Sequence, residues 1–372
     1  MKEIYEGGVV MQIIQDRRAL HQIPELELSL PKTMAYVKNI LSGLNCQVVN
    51  PVDSALCAFF DFGADSAIAF RADMDALPVQ EKSDKPYIST HPGCMHACGH
   101  DGHTAMVLEL ARRLSAKKRL SRNVLLIFQP GEETPGGAVR LCKTGVLEQY
   151  KVEAVFGLHL WPGLEKGKVF SREQELMAQA IETTVDIYGK SSHIAKAHLG
   201  IDAMAAAVEY HRLIARYEAS WPEGSYQLMK FGKMTSGTVR NVVSNHSHLE
   251  GSIRSFRDEV VDGLKAQARQ AARQVEEAFG CTVTVHFADG YPAVMNPPQL
   301  YRKVRQLVEF EELEEPTMTA EDFSWYQRYA SGVFFFLGLG DVPALHSNNF
   351  DFDESVLEKG ADFLEELAEK YQ

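Results

Sequence analysis

Between Ser54 and about Lys168, short apolar runs alternate with longer stretches in which apolar residues recur at helical spacing. The runs Leu56–Phe62, Ala67–Phe70, Val124–Phe128 and Ala154–Leu158 have strand length. Between the second and third, His103–Arg119 places Met106, Val107, Leu110, Ala111 and Leu114 on one helical face. Arg112, Arg113, Lys117, Lys118 and Arg119 crowd its last turns, where positive charge complements the helix dipole. This alternation predicts an α/β fold with a mostly parallel sheet.

The middle third follows another pattern. Ile181, Thr183, Val185 and Ile187 alternate across Ala180–Tyr188 as a half-buried strand requires, and Asp202–Ala219 is an alanine-rich helix. Strands over Tyr226–Phe231 and His248–Phe256, a charged helix over Asp258–Phe279 and a strand over Thr282–Phe287 complete a βαββαβ order, the pattern of a ferredoxin-like α+β unit. The α/β character returns after Pro297 and Pro298, with a buried strand at Val333–Leu337 and a closing amphipathic helix at Glu354–Lys370. The expected division is a main domain from residues 1–178 and 290–372, with residues 179–289 inserted as a second domain.

A length of 372 residues agrees with two domains, since single cores stop growing below that size. The net charge of -12 argues against binding to a nucleic-acid backbone or an anionic membrane surface. No apolar run suits a signal peptide or approaches the ~20 residues of a membrane span, so a cytoplasmic location is expected. Six scattered cysteines do not form a small disulfide framework, and reduced, mostly buried thiols are expected.

The densest chemistry lies in HPGCMHACGHDGH, residues 91–103, with two cysteines, four histidines and an aspartate. Sulfur, imidazole nitrogen and carboxylate oxygen are the donors that hold divalent transition metals. Cys98 and His100 form the best ligand pair, two apart in the loop that opens the helix; the bland alternative is a self-contained structural zinc knot of Cys94, His96, Cys98 and His100. Other strands also end in polar groups. Glu132 and Glu133 follow Phe128 in QPGEETPGG, His159 follows Leu158, and Asp73 and Asp75 follow Phe70 in RADMDALP. Ligands of open α/β sheets bind at the carboxyl ends of strands, so these groups could converge. Adjacent glutamates in an extended turn point in opposite directions, leaving one for a metal and one for substrate and water. The aspartates suit acceptors for ligand imidazoles. Taken singly, each has a plainer reading: solvated turn carboxylates for the glutamates, turn formers for the aspartates, structural residues for His159 and for His346 in LHSNNF. His193 in KSSHIAKAH, Asn241 in TVRNVV and Arg254 in a strand of the inserted domain are individually unremarkable.

Together, FRADMDALPVQE, MHACGHDGHTAM, LIFQPGEE, FGLHLWP, GTVRNVV, AEDFSWY and LHSNNF run through nearly the whole chain and resemble the M20 metallopeptidase family, above all its amidohydrolase branch of hippurate hydrolases, N-acyl-amino-acid amidohydrolases and N-acetyldiaminopimelate deacetylases. The resemblance implies a catalytic main domain with a ferredoxin-like lid, and two divalent metal ions held by Cys98, His100, Glu133, His159 and His346. Zinc is favoured by the thiolate, with manganese, cobalt or nickel as alternatives. It further implies Glu132 as general acid/base, Asp73 as the aspartate that orients the site, His193 as a lid histidine reaching the substrate carbonyl across a homodimer, and Asn241 and Arg254 as substrate-binding residues. The expected reaction is hydrolysis of an N-acyl, above all N-acetyl, amino acid. A carboxypeptidase or dipeptidase of the same fold, or a metal-stabilised binding protein without catalysis, are the alternatives. One departure bears on substrate: where the branch has GGHAAxPH, this chain has SSHIAKAH, which brings bulkier side chains beside His193.

Overall fold

The computed structural model describes residues 11–372 except residue 223. The chain divides into two compact units, one formed by residues up to Leu176 with Met295–Glu315 and Asp322–Gln372, the other by Met177–Val294 with Pro316–Glu321.

The first unit is built on an eight-stranded sheet with the order Gln47–Val49, Leu56–Phe60, Asn123–Gln129, Ala67–Asp73, Val152–Trp161, Ser331–Gly338, Val169–Ser171 and Glu311–Glu312. Its four central strands are parallel, as the alternation of strand and helix predicts. Leu56–Phe60 joins them antiparallel to Asn123–Gln129. Ala67–Asp73 and Asn123–Gln129 are buried at every position, the condition of parallel strands covered on both faces. Helix His100–Ala116 packs against the sheet and against helices Gln12–His21 and Val356–Lys370.

Three of the boundaries that differ from the sequence pattern fall at the site. The strand expected to stop at Phe70 continues to Asp73 because buried Arg71 is neutralised in place: its guanidinium donates to Asp73 at 2.6 Å, Asp322 at 2.7 Å and the Gln129 side chain at 2.9 Å. The strand expected to stop at Leu158 continues to Trp161, so His159 lies within it, held opposite Phe336 in parallel register. The helix begins at His100 rather than His103, since Gly99 takes the left-handed conformation (φ 85°) that turns the chain into it.

Asp101, in the first helical turn, meets Arg17. This guanidinium is fully buried and also donates to Asp351 at 2.9 Å and Glu354 at 3.1 Å, while His21 donates to Asp101 at 2.8 Å. Burial opposes the charge on Arg17, but three carboxylates outweigh it and hold its pKa above the usual arginine value. The network ties the N-terminal helix and the segment before the last helix to the turn that carries His100.

In the second unit the four strands order as Thr282–Phe287, Gln179–Tyr188, His246–Ser255 and Gln227–Ser236, antiparallel throughout. Helices Ala203–Ala219 and Asp258–Phe279 complete βαββαβ. Val185, Ile187, Leu249 and Ile253 share a core with Ala206, Tyr210, Leu264, Ala268 and Val275. The opposite sheet face carries Glu182, Asp186, Tyr188, His246, His248 and Glu250, as strand alternation demands. All six cysteines are free, and no helix among the described residues is long and apolar enough to cross a membrane.

Arg17→Met leaves Asp101 buried without its main partner. Chemical denaturation should register a loss of about 3–5 kcal/mol; a change below about 1 kcal/mol would mean the network does not hold this turn.

Candidate metal centre

Four segments of the first unit deliver the candidate donors. Cys98 and His100 come from the loop and first turn of helix His100–Ala116, Glu132 and Glu133 from the turn after strand Asn123–Gln129, His159 from strand Val152–Trp161, and His346 from the loop after strand Ser331–Gly338. Donor atoms of Cys98, His100 and His159 lie within 4.8 Å of one another, as do those of Cys98, Glu133 and His346, and those of His100, Glu132 and Glu133. Cys98 and His100 each belong to more than one group, so these residues form one continuous cluster.

The hydrogen bonds behind the cluster fix which atoms face it. His100 Nδ1 lies 2.8 Å from the main-chain oxygen of Asp75, which can only accept, so the proton sits there and Nε2 carries the lone pair of the neutral ring. That Nε2 is buried with no hydrogen-bond partner, 3.8 Å from Asp73 and 3.9 Å from Glu132 carboxylate oxygens. His159 repeats the arrangement: Nδ1 donates to the Leu160 carbonyl at 2.7 Å, and Nε2 stands 3.6 Å from Cys98 Sγ. His103 is excluded as a donor, because Nδ1 donates to Asp73 at 2.6 Å and Nε2 accepts the Leu160 N–H at 2.9 Å. It thereby steadies the strand beside His159.

The electrostatics ask for a cation. Burial would depress His100, yet the charges of Asp73, Asp75 and Glu133 raise it to about 10. A proton is the smallest cation this field attracts. Burial pushes the Cys98 thiol well above its ordinary pKa, and Glu133, Glu132 and Asp73 push it further, so a thiolate here requires positive charge beside it. Burial, then neighbouring His103, holds His159 well below the normal imidazole range, in the neutral form that a ligand must have. A lone ring nitrogen, a thiol and several carboxylates with these orientations fit divalent transition cations.

Asp75 acts through two kinds of atom. Its main-chain oxygen holds His100, and its carboxylate accepts the N–H groups of Glu132 at 2.8 Å and Glu133 at 3.1 Å. The glutamate turn is therefore curled around Asp75 rather than extended, and the two carboxylates, expected to diverge, both reach the cluster beside His100. Glu132 is buried, and one oxygen lies 3.4 Å from the Asp322 N–H, which donates to it. His346 is the exposed member: it takes a left-handed φ of 65°, its N–H donates to Ala97 at 2.8 Å, and its Nε2 lies 3.2 Å from Glu133.

Sequence reasoning assigned no role to Arg71, Gln129 and Asp322. Asp322 accepts from Arg71 at 2.7 Å, from Gln129 and from the Ala138 N–H at 2.9 Å, and burial lifts it to about 6 in spite of Arg71. A usable signal was present, since arginine inside a buried strand demands such partners.

The other candidates lie in the second unit. The loops of His193 and Asn241 are brought together, with the Ile194 N–H donating to the Asn241 carbonyl at 2.9 Å. Both follow the end of the sheet where Tyr188 pairs with His246. Arg254 pairs with Ala180 at the other end, about 27 Å away along the strand at ~3.4 Å per residue. Its guanidinium is half-buried, donates to Ser252 at 3.1 Å, and is lowered by burial against the opposing charge of Glu182.

Residues 69–370 match the sequence profile of peptidase family M20/M25/M40. An uncharacterized hydrolase of Staphylococcus saprophyticus is 35% identical over 96% of this chain and 97% of its own length. A putative aminohydrolase from methicillin-resistant Staphylococcus aureus superposes with a TM-score of 0.89 at 28% identity, covering 96% of both chains. The Bacillus subtilis YXEP protein, described as a dinuclear metal binding peptidase from the M20 family, gives a TM-score of 0.84 at 28% identity over 96% of both chains. The chain thus belongs to peptidase family M20/M25/M40 and is a metal-dependent hydrolase of amide bonds.

Proposed function

We propose that this hydrolase cleaves N-acyl, above all N-acetyl, amino acids with the help of two divalent cations. The observation that carries the reading is the meeting of Cys98, His100, Glu133, His159 and His346 in one cluster, buried apart from Glu133 and His346 at its mouth, with Glu132 beside it. Cys98, His100 and His159 would hold one cation, and Cys98, Glu133 and His346 the other. Zinc suits the thiolate, and manganese, cobalt or nickel would also serve. When bound, such ions polarise the amide carbonyl and bring the pKa of water toward neutrality.

The remaining work falls to side chains. Glu132 takes the proton of the attacking water and returns it to the departing amine, which cannot leave as an anion. Asp75 holds both glutamates by their N–H groups, and Asp73 orients the imidazoles through His103. His193 donates to the oxyanion, Asn241 binds beside it, and Arg254 receives the substrate carboxylate, a planar contact that distinguishes acyl amino acids from plain amides.

Separation of Arg254 from the His193 and Asn241 pair by the length of the sheet supports a homodimer, in which one substrate meets these groups from different copies. So does the surface of the second unit, where Ile194, Leu199, Met204, Val208, Met234 and Val239 each expose between 41% and 57%.

Glu132→Gln should lower turnover by roughly 10²–10⁴-fold while metal content stays at the wild-type level; unchanged turnover would remove Glu132 as the base. Chelation should abolish hydrolysis, with zinc restoring it in wild-type protein but not in His100→Ala. A screen of N-acetyl amino acids against dipeptides should favour the former, and the reverse order would make the enzyme a dipeptidase. Finally, His193→Ala and Arg254→Ala proteins, each nearly inactive, should regain activity when mixed and refolded together. Failure to regain any would place both groups on substrate from a single copy.

A further inference from the structure

A second set of nitrogen and oxygen donors lies on the polar face of the four-stranded sheet, on residues that the proposed hydrolysis does not use. Asp186 stands directly opposite His248 in the antiparallel register, with His246 two positions along the same strand as His248. His246 Nε2 and His248 Nδ1 both lie 2.8 Å from the same oxygen, Asp186 Oδ1. His248 Nε2 is 3.1 Å from the carboxylate of Glu250, two residues further along that strand, which Lys233 holds at 2.7 Å. Tyr188 stacks on His246 with ring centres 5.0 Å apart.

Without a cation, this arrangement needs two N–H groups aimed at one oxygen and a second proton on His248 for Glu250, so His248 must be an imidazolium. With a cation the demand relaxes. The two lone pairs and the aspartate oxygen face the ion, and His248 keeps one proton, on Nε2, for Glu250. A ligating histidine normally donates its other nitrogen to a carboxylate in this way. Donors in a tetrahedral shell of ~2.0 Å bonds stand ~3.3 Å apart, so the ligands need to part by only about half an ångström. The side chains expose 45% (His246), 29% (His248) and 24% (Asp186), which leaves the place open to solvent ions.

We propose that His246 Nε2, His248 Nδ1 and Asp186 Oδ1 form an additional binding site for one zinc-class divalent cation, clamping two neighbouring strands of the second unit, with its fourth position open to water. Glu250 supports the site by fixing the His248 tautomer. Two imidazoles and a carboxylate without a thiolate suit zinc, nickel or copper rather than magnesium or calcium.

Equilibrium dialysis of the purified full chain against zinc, followed by metal analysis, reads the stoichiometry. Wild-type protein should hold one equivalent more than the His246→Gln, His248→Gln double variant, and Asp186→Asn should weaken that equivalent at least tenfold. Because the reading is a difference between proteins that share Cys98, His100, Glu133, His159 and His346, it does not depend on how many ions those residues hold. Equal stoichiometry would overturn the proposal. Should the double variant fail to fold, nuclear magnetic resonance of the wild-type chain decides: zinc added beyond saturation of the tighter sites should shift the ring signals of His246 and His248, and their constancy would show an ion-pair cluster that binds protons only.

Discussion

The strand end Asp73, Met74 and Asp75 is the hinge on which the candidate centre depends. Asp73 accepts from Arg71 and His103 through its carboxylate and from the Thr104 hydroxyl through its carbonyl; Asp75 holds His100 by its carbonyl and the two glutamates by its carboxylate. Two aspartates thus set the position of parts drawn from the helix start, the glutamate turn and, through His103, the strand of His159. Such polar groups are tolerated in a buried place only because each is hydrogen-bonded or paired. The cost is a field so negative that His100 is driven toward protonation and Cys98 away from ionisation. Divalent cations relieve both.

Much of this was legible along the chain. The apolar runs located the central strands, the βαββαβ order located the second unit's elements, and the dense cluster at residues 91–103 pointed to metal chemistry. The narrowing from that cluster to Cys98 and His100 has a structural counterpart: Asp101 is occupied by Arg17 and His21, and His103 by Asp73 and Leu160. Those residues serve the fold around the donors.

What stayed hidden depends on contacts between distant positions. Arg71 meets Asp322 across 251 residues, and nothing local marks Asp322 as its partner. The strand therefore seemed to end where apolar residues end, whereas a neutralised arginine lets it run on. The curl of the glutamate turn was likewise invisible, because it is imposed by Asp75, 57 residues before Glu132. Local pattern gives the parts of such a site, and long-range hydrogen bonds give their directions.

The central claim is that the donors around Cys98 are a metal centre. Anomalous diffraction from crystals of the zinc-loaded protein tests it most directly. The account predicts two zinc peaks at bonding distance, one among Cys98, His100 and His159 and one among Cys98, Glu133 and His346. An ordered cluster with no zinc peak among these residues would contradict it.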